Sequence, residues 1–189
     1  MLKVICRLIL KIWGFRVTGP DPELIPKKVY AVYPHTSNWD FPLGILIKFA
    51  MPIDVNYVGK DSLFKWPYAW FFKWLGGIPV DRKKSTNFVD NMVRLYGQYD
   101  KLAFALAPEG TRKRVQKFKS GFYYIAHKAQ VPIILVKFDF RNKVVDFSEP
   151  FYTTGVYADD MKFIIRHFKG TEGVNPDLSC QWEDEVVKP

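Results

Sequence analysis

Polar and apolar positions over residues 1–17 repeat with a helical period. Lys3, Arg7 and Lys11 fall four apart on one face, with Ile5, Leu8, Ile9 and Ile12 largely on the other side. Residues 27–34, KKVYAVYP, read as a strand that stops at Pro34. His35 then lies on a strand-to-helix turn, with Ser37 or Asn38 as N-cap of the next helix. DVNYV at 54–58 predicts a second strand, and DSLFKWPYAWFFKWLGG at 61–77 a helix closing at Gly76–Gly77. A helical pattern over 86–99 leads into LAFALAP at 102–108, a buried strand ending at Pro108. Residues 120–129 read as helix, VPIILVKFDF as a strand paired with 143–147, and 159–168 as a last helix. Strands alternating with helices predict one α/β domain over residues 1–189, with a mainly parallel central sheet flanked by helices and an amphipathic helix at 1–17.

A hydrophobic fraction of 48% and an aromatic fraction of 17% exclude a disordered chain. The net charge of +9 points to an anionic partner. There is no helix-turn-helix, zinc-finger spacing or RNA-recognition signature, which leaves a membrane surface or a phosphorylated substrate rather than nucleic acid. Cys6 and Cys180 lie near opposite ends without a CxxC or a histidine cluster, a pattern that suits reduced thiols. No apolar run approaches the ~18 residues of a membrane span, and Lys3 and Arg7 interrupt any signal-peptide core. The 1–17 helix therefore either lies in the interface of an anionic membrane or packs on its own domain. Trp66, Trp70 and Trp74, flanked by Lys65 and Lys73, leave the same choice between the headgroup level and the core. The expected location is peripheral, on the cytoplasmic side of a membrane.

Pro34-His35 and Pro108-Glu109-Gly110 both follow predicted strands, where open α/β sheets bind ligands. If those strands are neighbours, His35 and the 109–112 loop share one site. Spacing alone decides little. With 3 His and 19 acidic residues a His-x4-acid pair is expected about 0.3 times by chance, and His167 with Glu172 forms a second one. Five residues along one helix would separate His35 from Asp40, but a turn at 36–38 can fold Asp40 back toward the ring. So arranged, His35 is a general base, worth roughly 10²–10⁴ in rate, and Asp40 orients it. Arg82 and Arg112 are either solvated surface charges, as most arginines are, or phosphate ligands, since a guanidinium fork matches phosphate oxygens. Glu109 either holds one of those arginines or bonds a hydroxyl of a bound molecule. Gly110 and Thr111 offer backbone and hydroxyl donors to a phosphate or an oxyanion. Ser37 opens a covalent route through its hydroxyl, disfavoured by its closeness to His35. His127 and His167 have no second metal ligand at recognisable spacing, so neither a metal nor a cofactor is expected.

Four segments occur in order: HTSNWD at 35–40, GGIPVDR at 76–82, PEGTR at 108–112 and VPIILV at 131–136. They resemble the four blocks of the glycerolipid acyltransferase family, which includes the 1-acyl-sn-glycerol-3-phosphate acyltransferases. The resemblance covers residues 29–137, with FKSG at 118–121 and Lys60 also similar. Ala107 stands where an aromatic is common and Lys113 where a serine is common. The resemblance implies direct acyl transfer, without an acyl-enzyme, from acyl-CoA or acyl-carrier protein to a lyso-lipid hydroxyl. 1-Acylglycerol-3-phosphate is the leading acceptor, giving phosphatidic acid. Another lyso-lipid (an ornithine lipid or glycolipid) and a non-catalytic membrane-binding protein on the same scaffold are the alternatives.

Overall fold

The chain, seen in a computed structural model that describes residues 1–51, 53–60, 64–80 and 88–180, alternates helices and strands as its pattern predicts. In order these are α1 (Leu2–Trp13), β1 (Arg16–Thr18), β2 (Lys27–Tyr33), α2 (Asp40–Ala50), β3 (Asn56–Lys60), α3 (Ala69–Trp74), β4 (Gly77–Val80), α4 (Phe88–Gln98), β5 (Leu102–Leu106), α5 (Gly121–Ala129), β6 (Ile133–Asp139), β7 (Val144–Phe147) and α6 (Tyr157–Phe168). The strands form one sheet in the order β1-β7-β6-β2-β5-β3-β4. Every pairing is parallel except β6 with β7.

The buried strands β2, β5 and β6 alternate their side chains between two helical layers, as the pleat requires. Val29, Ala31, Tyr33, Phe104, Ile133 and Leu135 face one layer, which contains Tyr96 of α4, Ile125 of α5 and Ile164 of α6. Tyr30, Ala103, Ile134, Val136 and Phe138 face the other, with Cys6 and Leu10 of α1 and Leu43 and Ile47 of α2. The two cysteines are free and belong to opposite layers.

Several boundaries differ from the sequence pattern. The second strand runs 56–60 rather than 54–58, because its pairing with β4 reaches Lys60↔Val80. The helix expected over 61–77 is confined to Ala69–Trp74, with turns at 65–68 before it. Pro67 sits in those turns and so removes no helical hydrogen bond. Residues 61–63 lie outside the described residues. β1 and β4, of three and four residues, were not expected. Their sequences carry too few positions for a period to show, and sheet pairing defines them.

Candidate active site

β2 and β5 are hydrogen-bonded neighbours, with Ala31 opposite Leu106. The segments that follow them therefore leave the sheet side by side. Residues 34–36 are irregular, 37–39 turn, and α2 begins at Asp40. The turn brings Asp40 back under the histidine, with His35 Nδ1 lying 3.0 Å from Asp40 Oδ2. The imidazole is 28% exposed and the carboxylate 3%, so the ring reaches solvent while its partner does not. Asp40 Oδ2 also accepts the Ser37 N–H at 2.9 Å, which pins the turn to the first residue of α2. A carboxylate in the first turn also complements the helix dipole. The expected Ser37 or Asn38 cap is not made: no side chain caps α2, and Ser37 Oγ instead accepts the Trp39 N–H at 3.2 Å.

Glu109 makes a contact that its sequence position did not announce. Its Oε1 accepts the His35 backbone N–H at 2.8 Å, and the residue is 1% exposed. Burial raises its carboxyl to about 7 from the ordinary 4.5, against the opposing pull of that hydrogen bond. Glu109 thus ties the β5 loop to the backbone of the histidine. Gly110 follows with φ +65, a backbone conformation that favours glycine. Its N–H donates to Ala107 O at 3.0 Å, so that donor serves the turn itself. Thr111 Oγ1 accepts the Lys113 N–H at 3.2 Å, leaving its hydroxyl hydrogen available. Arg112 is exposed, and among the described residues no carboxylate pairs with it. Arg82 lies outside the described residues.

His35 and Asp40 open onto a cleft of about 1600 Å³ between α2 and the sheet. Its interior is apolar, with Val32, Gly44, Ile47, Ala105, Val136 and Phe138 among the lining residues. Its other wall includes Lys113, Lys117 and Lys119 beside Arg112. This cleft and these lysines are what the sequence reading missed. The apolar lining is split among many elements, β2, α2, β5 and β6 among them, but the cationic run RKRVQKFK at 112–119 was a signal in plain view. His127 and His167 sit apart on α5 and α6, the former with Nδ1 2.9 Å from Thr153 Oγ1. Among the described residues no three potential metal ligands converge. Chemically, one apolar channel, a carboxylate-held imidazole and a cationic rim can bind an aliphatic chain, take a proton and attract an anion.

The same side of the molecule carries exposed apolar helices. α1 packs on its domain through Cys6 and Leu10, and Arg7 Nε donates to Ala50 O at 3.0 Å. Its outer face remains open, Ile12 being 77% exposed. On α3 no residue is buried, and Trp66, in the turns before it, is 91% exposed, which rules out the core reading of the tryptophans. α2 and the residue before it touch both helices, Trp39 against Trp13 (5.9 Å between centroids) and Phe49 stacked on Trp74 (5.5 Å). No helix among the described residues is long and apolar enough to cross a membrane.

A family model described as Acyltransferase matches residues 15–138. A probable 1-acyl-sn-glycerol-3-phosphate acyltransferase of Mycoplasma pneumoniae is 32% identical over an alignment of 139 positions that covers 67% of this chain and 50% of that protein. The chain thus spans about half the length of that relative. The crystal structure of the 1-acyl-sn-glycerophosphate (LPA) acyltransferase PlsC from Thermotoga maritima superposes with a TM-score of 0.58 over 89% of this chain and 75% of that one. At 21% identity this likeness shows the fold, a mostly parallel sheet flanked by helices.

Proposed function

The chain belongs to the acyltransferase family, and from that premise we propose that it moves a fatty acyl group from a thioester to the hydroxyl of a lyso-lipid, most directly 1-acylglycerol-3-phosphate. The observation that carries this reading is the 3.0 Å contact between His35 Nδ1 and Asp40 Oδ2 at the mouth of the apolar cleft. With Nδ1 engaged, Nε2 is the nitrogen left to receive the hydroxyl proton. The acceptor oxygen attacks the thioester carbonyl as that proton moves to Nε2. The C–S bond then breaks as the ester forms, and the thiolate takes the proton from the imidazolium. Asp40 fixes the tautomer and stabilises the charged ring, so each turnover returns His35 neutral. The products are a diacyl lipid and a free thiol on acyl-carrier protein or CoA.

The cleft supports the acyl half of this reading. Its apolar lining runs from His35 at the mouth past Val32 to Tyr30 on β2, and about 1600 Å³ is room enough for a long fatty acyl chain. The rim supports the acceptor half. Arg112, Lys113, Lys117 and Lys119 together suit a phosphomonoester, which the acceptors named for both similar proteins also carry. Lyso-lipids reside in membranes, and the open faces of α1 and α3 with Lys3, Lys11, Lys65 and Lys73 fit peripheral attachment to an anionic surface.

Product analysis tests this reading. Purified protein is offered a mixture of lyso-lipids, with acyl-CoA and acyl-carrier protein donors in parallel, and the lipids are identified by mass spectrometry. Phosphatidic acid should form from 1-acylglycerol-3-phosphate and nothing comparable from a lyso-ornithine lipid or a lyso-glycolipid. Preferential acylation of one of the latter would replace the acceptor assignment.

A further inference from the structure

We propose that Asn175 is a positioning residue for His35, acting from a C-terminal strap that lies outside the stretch matched by the family model. The proposal rests on His35 being the base. His35 and Thr36 belong to no helix or strand, so side chains must supply the hydrogen bonds that secondary structure would otherwise give. Glu109 accepts from His35 N on one side. On the other, Asn175 Nδ2 donates to Thr36 O at 2.9 Å, and Asn175 N donates to Thr36 Oγ1 at 3.2 Å. Asp40 accepts from Ser37 N. Three side chains from three distant places in the sequence thus hold three consecutive residues, and Asn175 is the one that nothing in the four sequence blocks announces.

The local geometry of Asn175 points the same way. It occupies the N-cap of a 3₁₀ turn at Pro176–Leu178, where an asparagine side chain ordinarily accepts a hydrogen bond from its own turn. No such cap bond is made, and the amide reaches across 139 residues of sequence to Thr36 instead. Gly173 shows how closely the strap lies. A Cβ there would stand 2.3 Å from Thr36 Oγ1 and 3.1 Å from Pro34 Cγ, so the chain can approach only without a side chain. The strap is fastened at both ends. Phe140 N donates to Glu172 O at 2.9 Å, and Arg141 pairs with the Glu172 carboxylate. At the other end Tyr33 Oη donates to Cys180 O at 3.4 Å, with Ser179 and Cys180 buried. Thr36, 3% exposed, is therefore held by the strap, and the neighbouring imidazole inherits its position. Displacing a reacting group by about 1 Å can lower a rate by roughly 10²-fold.

The test measures kcat, both Michaelis constants and thermal midpoint for Asn175→Ala in the full chain, alone and combined with Asp40→Asn. The clamp predicts a fall in kcat on the order of 10-fold, with both Michaelis constants within about twofold of wild type. It also predicts that the double variant loses less than the product of the two single losses, because both changes act on the placement and support of one imidazole. An unchanged kcat in folded protein, a rise confined to one Michaelis constant, or fully multiplicative losses would overturn it. If Asn175→Ala does not fold, Thr36→Val removes the hydroxyl acceptor at constant shape, and the same kcat-selective loss is required of it. His35→Ala is run alongside. Wild-type turnover in that variant defeats the base assignment, whereas an inactive His35→Ala beside an indifferent Asn175→Ala defeats only the clamp.

Discussion

Asp40 Oδ2 holds two groups at once, the ring of His35 at 3.0 Å and the backbone N–H of Ser37 at 2.9 Å. One carboxylate thus sets both the turn and the tautomer. Replacing it with an amide should therefore separate fold from rate. Asp40→Asn is expected to retain the thermal unfolding transition to within about 1 kcal/mol, since the amide oxygen can still accept from Ser37. Its kcat should fall by roughly 10² or more, because a neutral amide cannot stabilise the imidazolium. A kcat within twofold of wild type would remove Asp40 from the mechanism.

Glu109 gives a pH signature of stability. Its folded value of about 7 lies above the ordinary 4.5, so between those values the folded protein binds the extra proton. The contribution is fully present below about 4.5 and is lost as pH rises through about 7. Glu109→Gln can still offer an oxygen to His35 N–H but cannot titrate. The variant should therefore gain on the wild type as pH rises from 5 to 8, by up to about 3 kcal/mol. Denaturant unfolding of both proteins at several pH values reads this directly. Parallel stability curves would show that burial does not perturb Glu109.

Arg112 is exposed on the cleft wall and unpaired among the described residues, so removing it should leave the fold intact. Arg112→Ala should weaken acceptor binding by about 1.5–3 kcal/mol, the range for a hydrogen bond to a charged group. Arg82→Ala should behave alike if both arginines share the phosphate. Kinetics with each substrate varied in turn check the assignment. A loss confined to the thioester donor moves these arginines to the carrier's phosphates.

Membrane attachment is best tested on the open face of α1 rather than by truncation, since Cys6 and Leu10 of that helix belong to the core. Val4, Leu8 and Ile12 are exposed. Changing all three to Gln should remove about 1 kcal/mol of insertion each. Sedimentation with anionic vesicles should drop about 100-fold or more in partition, with what remains weakened further by salt. Turnover of a short-chain soluble acceptor should be unaffected. Unaltered vesicle binding would shift the anchor to Trp66, Trp70 and Trp74.

What the sequence made legible was local. The β-branched and aromatic run KKVYAVY and the apolar LAFAL predicted β2 and β5, and their adjacency in the sheet brings His35 and Glu109 together. The His35–Asp40 turn was likewise inferable, because a continuous helix could not join them. What stayed hidden depends on contacts between distant residues. The strands Arg16–Thr18 and Gly77–Val80 are defined by partners rather than by pattern. The Trp66, Trp70 and Trp74 stripe has the same periodicity whether it faces a core or solvent, so burial had to decide it. The bond from His35 N–H to Glu109 was not legible, because motif spacing says nothing about backbone donors. Asn175, 139 residues from Thr36, left no trace in any local pattern.

The central claim is that His35 takes the proton from the acceptor hydroxyl, and its most direct measurement is single-turnover acyl transfer by purified His35→Ala. The imidazole lies at the cleft mouth, partly exposed, and its removal leaves the packed layers untouched. The variant should unfold at the wild-type midpoint, bind lyso-lipid as the wild type does, and transfer acyl groups at least 10²-fold more slowly. A folded His35→Ala protein that transfers acyl groups at the wild-type rate would contradict the account at its root.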